Sequence, residues 1–208
     1  MSAVATDIAR IPAGLGDAVH HGQAVFRCVL EAMARPGRLQ RLPADVAGAL
    51  GHPPGWSPAL AATLLTLLDA ETALWLSPAL RDGVAPAWLR FHTGTRIVDA
   101  PGAADFAAAR ADEVDASIWT VLKPGSDEAP HTGATLLLQV DCLSDAAGLR
   151  LQGPGIEHEH RLDAAGLDSA FWQARIAQQA DFPCGVDLLL CCDDRVAGLP
   201  RSTRVTEG

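Results

Sequence analysis

Lysine is nearly missing from this chain. Lys123 is the only one among 208 residues, and every other cationic side chain except histidine is an arginine. Acidic residues outnumber basic ones, 25 against 16, for a formal net charge of -9. Binding to nucleic-acid phosphates or to an anionic membrane surface needs a clustered cationic excess, so both are disfavoured as partners. A long apolar run is missing too. The longest, "ALAATLLTLL" at 59–68, is half of the roughly 20 residues a membrane-spanning helix requires. The opening "MSAVATDIARIPAGLG" lacks the basic start and apolar stretch of a secretory signal. The five cysteines, at 28, 142, 184, 191 and 192, are an odd number without Cys-x-x-Cys spacing. The expectation is reduced thiols in a cytoplasmic protein.

Familiar catalytic signatures are also missing. There is no HExxH, no GxGxxG, no GxxxxGK[ST] and no GxSxG in the chain. Internal repeats, charge blocks and low-complexity segments are not seen either.

What is present reads as a mixed α/β domain. "GQAVFRCVLEAMARPG" predicts a helix with Val25, Phe26, Val29, Leu30 and Met33 on one face, stopped at Pro36-Gly37. "WSPALAATLLTLLDAET" predicts a second helix with Ser57 as N-cap and Pro58 in the first turn, apolar nearly all round and so buried between layers. Strand-like runs follow at "TALWLS", "WLRFHTG", "RIVDA" and "SIWTVL", with a helix expected at "DFAAARADEV". "ATLLLQVDCL" and "LRLQG", joined by "SDAAG", predict a hairpin. "DSAFWQARIAQQ" predicts a helix, "GVDLLLCC" a strand, and Asp193-Asp194 a turn into "RVAGLP". The fold class expected is α/β, a single domain with a mixed sheet flanked by helices. Residues 20–206 form that domain, and 1–19 a partly flexible N-terminal extension.

Four groups of side chains are candidates for chemistry. In Glu157-His158-Glu159-His160 the two histidines share one face of an extended segment, yet they are half of a tetrahedral metal site, and an exposed polar edge is expected instead. Cys191 and Cys192 point to opposite faces of a strand, so one is expected to pack inward as a small apolar group. Lys123 has the residue type for a Schiff base, but its turn places it near Asp127 and Glu128, where a solvated lysine is expected. Arg195, Arg201 and Arg204, with Ser202 and Thr203 between them, suit recognition of phosphate or carboxylate, or a subunit interface; the interface is favoured. Arg35 joins that set.

The segments "FRCVLEAMARPG" at 26–37, "LRLQGPGI" at 149–156 and "FPCGVDLLLCCDDRVAGLPRSTRV" at 182–205 together resemble the PhnH family of bacterial phosphonate degradation. "FHTGTRIVDAPGAADFAAA" and "GATLLLQVDCL" fit in the expected order, so the resemblance covers roughly residues 20–206. It marks Pro36, Gly37, Gly153, Pro154, Gly155, Pro183, Gly185, Asp187 and Pro200 as structural motif positions, and leaves Glu157 to His160 outside as a loop decoration. The resemblance implies a fold like that of the pyridoxal-phosphate-dependent transferases, without that cofactor or its lysine, and a homodimer in isolation. It implies companion subunits PhnG, PhnI and PhnJ of a carbon–phosphorus lyase complex. That assembly, with the accessory PhnL, displaces adenine from ATP with methylphosphonate to give a ribose 1-phosphonate 5-triphosphate. No catalytic residue, cofactor or metal ligand carries over, which makes an accessory, non-catalytic subunit the expected role. The alternative is a stand-alone enzyme binding phosphate or pyridoxal phosphate through Lys123 and the C-terminal arginines. A metal hydrolase built on His158 and His160 is the third reading.

Overall fold

The computed structural model describes residues 11–208. Its elements in chain order are α1 (His20–Ala34), β1 (Gln40–Arg41), α2 (Ala44–Ala49), α3 (Pro58–Leu67), β2 (Ala73–Leu76), α4 (Pro78–Arg81), α5 (Ala85–Thr93), β3 (Arg96–Val98), β4 (Phe106–Arg110), α6 (Ile118–Val121), β5 (Thr135–Gln139), β6 (Leu143–Gln152), β7 (His160–Ala164), α7 (Ser169–Ala177), β8 (Asp187–Cys192), β9 (Arg195–Leu199) and β10 (Arg204–Thr206). Seven strands form the main sheet in the order β1-β9-β8-β5-β4-β2-β3. From β8 to β3 the neighbours are all parallel, while β9 runs antiparallel to both β8 and β1. A smaller antiparallel sheet, β10-β6-β7, lies over one face.

The parallel strands are apolar on both faces, as strands covered on both sides must be. Leu74, Ala108, Leu137, Leu189 and Cys191 join α1, α2, α3 and α5 in one core. Ala107, Leu136, Leu138, Leu188 and Cys192 join α6, α7 and the small sheet in the other. The α/β class, the mixed sheet and its flanking helices therefore stand as expected. The Ser57 N-cap accepts a hydrogen bond from the Leu60 N–H at 3.2 Å, and α3 is buried from Ala59 to Leu64.

Several local expectations are corrected. "DFAAARADEV" holds strand β4 and a 3-10 turn at Ala111–Glu113, not an α-helix. Alanine favours helices in isolation, but pairing with β2 and β5 between two cores overrides so weak a preference. "WLRFHTG" lies in helix α5, bracketed by Pro86 in its first turn and by Gly94 as a left-handed C-cap at φ 74. "SIWTVL" is the single turn α6, and its Ile118 and Trp119 are buried. The expected β5–β6 hairpin does not form: β5 pairs with β4 and β8, and "SDAAG" lies inside β6 across a bulge. The real hairpin is β6–β7, turned by Gly153-Pro154-Gly155.

On α1 the core stripe is Val25, Val29 and Ala32, while Phe26 and Leu30 are 50% and 56% exposed. Of the expected N-terminal extension, residues 1–10 lie outside the described part. From there on the chain is tied down: Gly14 and Gly51 exchange two backbone hydrogen bonds, and Ile11 and Leu15 pack against the core. No described helix is long and apolar enough to cross a membrane.

Both Cys191 and Cys192 pack inward, one into each core, because the sheet is coated on both sides. Burial pushes the Cys191 thiol up to about 12 and raises that of Cys192 as well. A thiol titration with a disulfide reagent at pH 8 should therefore modify Cys142 first, Cys28 and Cys184 more slowly, and Cys191 and Cys192 only in denaturant. Rapid reaction of all five in the native protein would contradict the two-sided burial.

Candidate functional site

The three segments that carry the family resemblance meet at one place. The β6–β7 turn runs so close to the end of α1 that a Cβ on Gly155 would collide with the Ala34 carbonyl oxygen, and Gly155 itself holds φ +81. A Cβ on Gly198, in β9, would lie 2.7 Å from the Ala32 carbonyl oxygen. The Gly37 N–H donates to the Gly198 carbonyl at 3.2 Å, and His160 Nδ1 donates to the Pro36 carbonyl at 2.7 Å. That bond puts the ring proton on Nδ1. Buried Pro36 and Gly37 thus lie between the β6–β7 hairpin and strand β9.

The loop after β9 is fixed by charge. Arg201 Nη2 donates to Asp187 Oδ2 at 2.6 Å, its own backbone N–H reaches Asp187 Oδ1 at 2.7 Å, and Nη1 donates to the Pro130 carbonyl. Beneath it Arg175, on α7, is 1% exposed and donates to the carbonyls of Pro200, at 2.9 Å, and Thr203, at 3.4 Å. Desolvation pushes its guanidinium down to about 10, partly offset by the field of Asp187, and it stays charged at neutral pH. Gln178 and Gln179 act as backbone surrogates: Gln178 accepts from the Val186 N–H, and Gln179 both accepts from and donates to Val205. Together these contacts shape a pocket of about 330 Å³ with Pro154, Phe182, Arg201, Ser202, Thr203 and Arg204 in its wall.

The expected arginine cluster is therefore split. Arg201 and Arg204 share this pocket, but Arg195 starts β9 at the opposite edge of the sheet, roughly 17 Å of strand away at about 3.4 Å per residue. There it lies 3.8 Å from Asp193. Arg35 stands beside the β6–β7 turn through its neighbours Ala34 and Pro36, but its guanidinium turns back along α1 to Glu31 at 2.6 Å. His158 is exposed on the hairpin loop, whereas His160 is tied to Pro36, so the second histidine is part of the junction and not a loop decoration. The two play separate roles, and no three metal-ligating side chains cluster among the described residues.

Lys123 is half-exposed, and it pairs with Asp105 at 2.8 Å instead of with Asp127 or Glu128. Burial raises the Asp105 carboxyl, but the Lys123 hydrogen bond and the Ala73 N–H outweigh it, and the net shift is downward. Both residues sit before or at the amino ends of the parallel strands. Open α/β sheets take ligands at the carboxyl ends, where the strand order switches direction. Here that switch lies between β2 and β4. There the chain's own Glu113 accepts from Ser77 Oγ at 2.5 Å and from the Ala79 N–H at 2.8 Å.

Comparison with known proteins decides what this architecture belongs to. The family model of a bacterial phosphonate metabolism protein (PhnH) matches residues 13–206. The chain is 35% identical over 191 residues to the alpha-D-ribose 1-methylphosphonate 5-triphosphate synthase subunit PhnH of Rhizobium meliloti, covering 91% of this chain and 92% of that protein. It is 34% identical over 183 residues to the putative C-P lyase subunit protein HtxG of Stutzerimonas stutzeri, covering 88% and 85%. The chain belongs to the PhnH family.

Within this PhnH-family chain, Arg201, Arg204, Gly153, Pro154, Gly155 and Asp187, singled out in the sequence, lie at the junction and its pocket together with Arg175, Phe182 and Gly198, which were not. Arg175 had one available signal: an arginine at i+4 from Phe171, on what becomes the buried face of α7. Two variants test the junction. Gly55 shares φ +81 with Gly155 but has nothing within 4 Å of its Cβ position. Gly55→Ala should cost only the left-handed strain, about 1–2 kcal/mol, and Gly155→Ala several kcal/mol more by denaturant unfolding. Equal losses would mean that the close approach contributes nothing.

The Asp105 shift fixes a sign with pH. A depressed carboxyl contributes stability above its unfolded value, near 3.9, and loses it as pH falls through the folded value. Thermal melts should show Lys123→Met less stable than the parent at pH 7, with the gap narrowing below about pH 4. A constant gap would exclude the ion pair as its cause.

Proposed function

We propose that this chain is an accessory, non-catalytic subunit of the carbon–phosphorus lyase core complex, supporting formation of ribose 1-methylphosphonate 5-triphosphate from ATP and methylphosphonate. The observation that carries this reading is the junction itself. The three family segments spend their distinctive residues on a tight backbone junction and an arginine-lined pocket, and not on a nucleophile with its base. Glu113 in the switch-point mouth supports it further, since the usual ligand crevice of such a sheet holds the chain's own carboxylate.

The partners in this reading are companion subunits equivalent to PhnG, PhnI and PhnJ, with a homodimer when the chain is alone, in the cytoplasm. Phe26 and Leu30, about half-exposed on α1 beside exposed Val19, are apolar surface suited to such a contact. Arg35 and Arg204, both exposed, and half-buried Arg195 are the cations we assign to interfaces or to phosphate. The likeness to the pyridoxal-phosphate-dependent transferase fold belongs to the same reading and rests on the family resemblance alone, since a largely parallel sheet with helices over it is common to many α/β folds. Lys123 in its ion pair with Asp105 speaks for a subunit without that cofactor's chemistry.

The test is co-expression of the tagged chain with its genomic neighbours, followed by assay of adenine release from ATP and methylphosphonate. Companions should co-elute in fixed ratio, and turnover should need this chain. Elution of the chain by itself, with full turnover by the others, would sink the reading.

A further inference from the structure

Helix α1 has a wider apolar arc than the core covers. Val25, Val29 and Ala32 point into the core. Val19, Gln23, Phe26, Leu30 and Met33 follow one another in alternate steps of four and three residues, the spacing of a coiled-coil seam. Val19, at the N-cap, already has helical dihedrals and so extends the seam. Met33 packs against the core, but Val19, Gln23, Phe26 and Leu30 are all exposed. A surface helix normally buries one apolar stripe and turns polar residues outward. Here a second stripe, polar only at Gln23, faces out.

Beside that stripe the surface between α1 and the end of α3 sinks into a hollow of about 410 Å³, with Leu15, Ala18, Gly22, Leu65 and Thr66 in its wall. The Thr66 hydroxyl donates to the Ala62 carbonyl at 2.8 Å, so it is satisfied within its own helix. Glycine disfavours a helix, yet nothing lies within 4 Å of the Cβ position of Gly22, and no contact inside the chain demands it. What its missing side chain provides is depth, a hole for the knob of a packed helix.

Charge narrows the occupant. Arg27, exposed in the same wall, has no ion pair among the described residues, and Glu31, one turn further along, is already held by Arg35 at 2.6 Å. Two copies of α1 packed antiparallel about Phe26, midway along the stripe, would set Arg27 against its own counterpart. Like charges so placed oppose that pairing, whereas a carboxylate on a different polypeptide favours it.

We propose that this face of α1 docks an amphipathic helix of a companion subunit, one with a large apolar side chain for the hollow at Gly22 and an Asp or Glu opposite Arg27. The assignment rests on the subunit reading and gives it a surface, a partner element and a charge.

The test is capture of the co-expressed genomic neighbours on the tagged chain and its variants, with thermal melts of each variant. Phe26→Ser combined with Leu30→Ser should reduce capture at least tenfold. Arg27→Glu should weaken it, and Arg27→Lys should keep most of it. Gly22→Leu should melt no lower than the parent, since leucine favours a helix and the site is open, yet capture less by filling the hollow. Phe91→Ser, at an exposed aromatic on α5, should capture like the parent. If the parent captures companions and the double variant and Gly22→Leu capture as much, the surface is wrong and the subunit reading stands. Equal loss in Phe91→Ser also overturns the assignment to α1. A parent that elutes without companions overturns the subunit reading and this docking site together. Light scattering that finds a dimeric parent and a monomeric Gly22→Leu variant, with capture retained, would give the face to a second copy and reject the proposal.

Discussion

The backbone of the β6–β7 turn reaches the last carbonyls of α1, and only a residue without a side chain can stand at Gly155 to let it. Much of this end of the molecule depends on that approach. It brings the small sheet against the main one, it aligns His160 with the Pro36 carbonyl, and it leaves Pro154 facing the loop that follows β9. On the other side of the same junction Gly198 lets β9 pass under α1 without a gap. Two close backbone contacts thus link a helix, a hairpin and a sheet that are far apart in the chain. Contacts of this kind tolerate no added methyl group, because the close packing around the end of α1 leaves no free volume for one.

Electrostatics completes what packing begins. Asp187 starts β8 and holds Arg201 through its backbone and its guanidinium together, so that the loop after β9 has one shape. Arg175 supports that loop from inside the second core. Its charge is buried with carbonyl dipoles for company and the Trp119 ring 5.9 Å away, an arrangement stable only while those oxygens stay in place. The loop and the arginine therefore constrain each other.

Much of this was legible in the residues, and the failures have identifiable causes. Helices α1, α3 and α7 and strands β2, β8 and β9 follow from period, cap and turn signals that act within one segment. Strand β4 is illegible because "FAAAR" has no alternation when both of its faces are buried, and alanine's local preference points the other way. The false β5–β6 hairpin arose from a polar "SDAAG" that looks like a turn but is the bulged, solvent-facing part of β6. At the site, glycine and proline marked the junction correctly because close approach demands those residue types. Adjacency in sequence misled for Arg195 and Arg201, since a strand separates them by its whole length. Phe182 and Arg175 carried too little local signal, because their roles exist only once α7 and the β9–β10 loop are together.

The location of the junction constrains how such a subunit can act. The carboxyl edge of a parallel sheet offers helix amino termini and diverging loops, and here Glu113 satisfies Ser77 and the Ala79 N–H in that position. A carboxylate held in this way repels the anionic ligands such an edge would otherwise attract. The glycine-dependent junction, Asp187, Arg201 and the Lys123–Asp105 pair all lie toward the amino edge instead. The most tightly fixed part of the molecule therefore lies at the amino edge, opposite the end at which open α/β sheets usually take ligands.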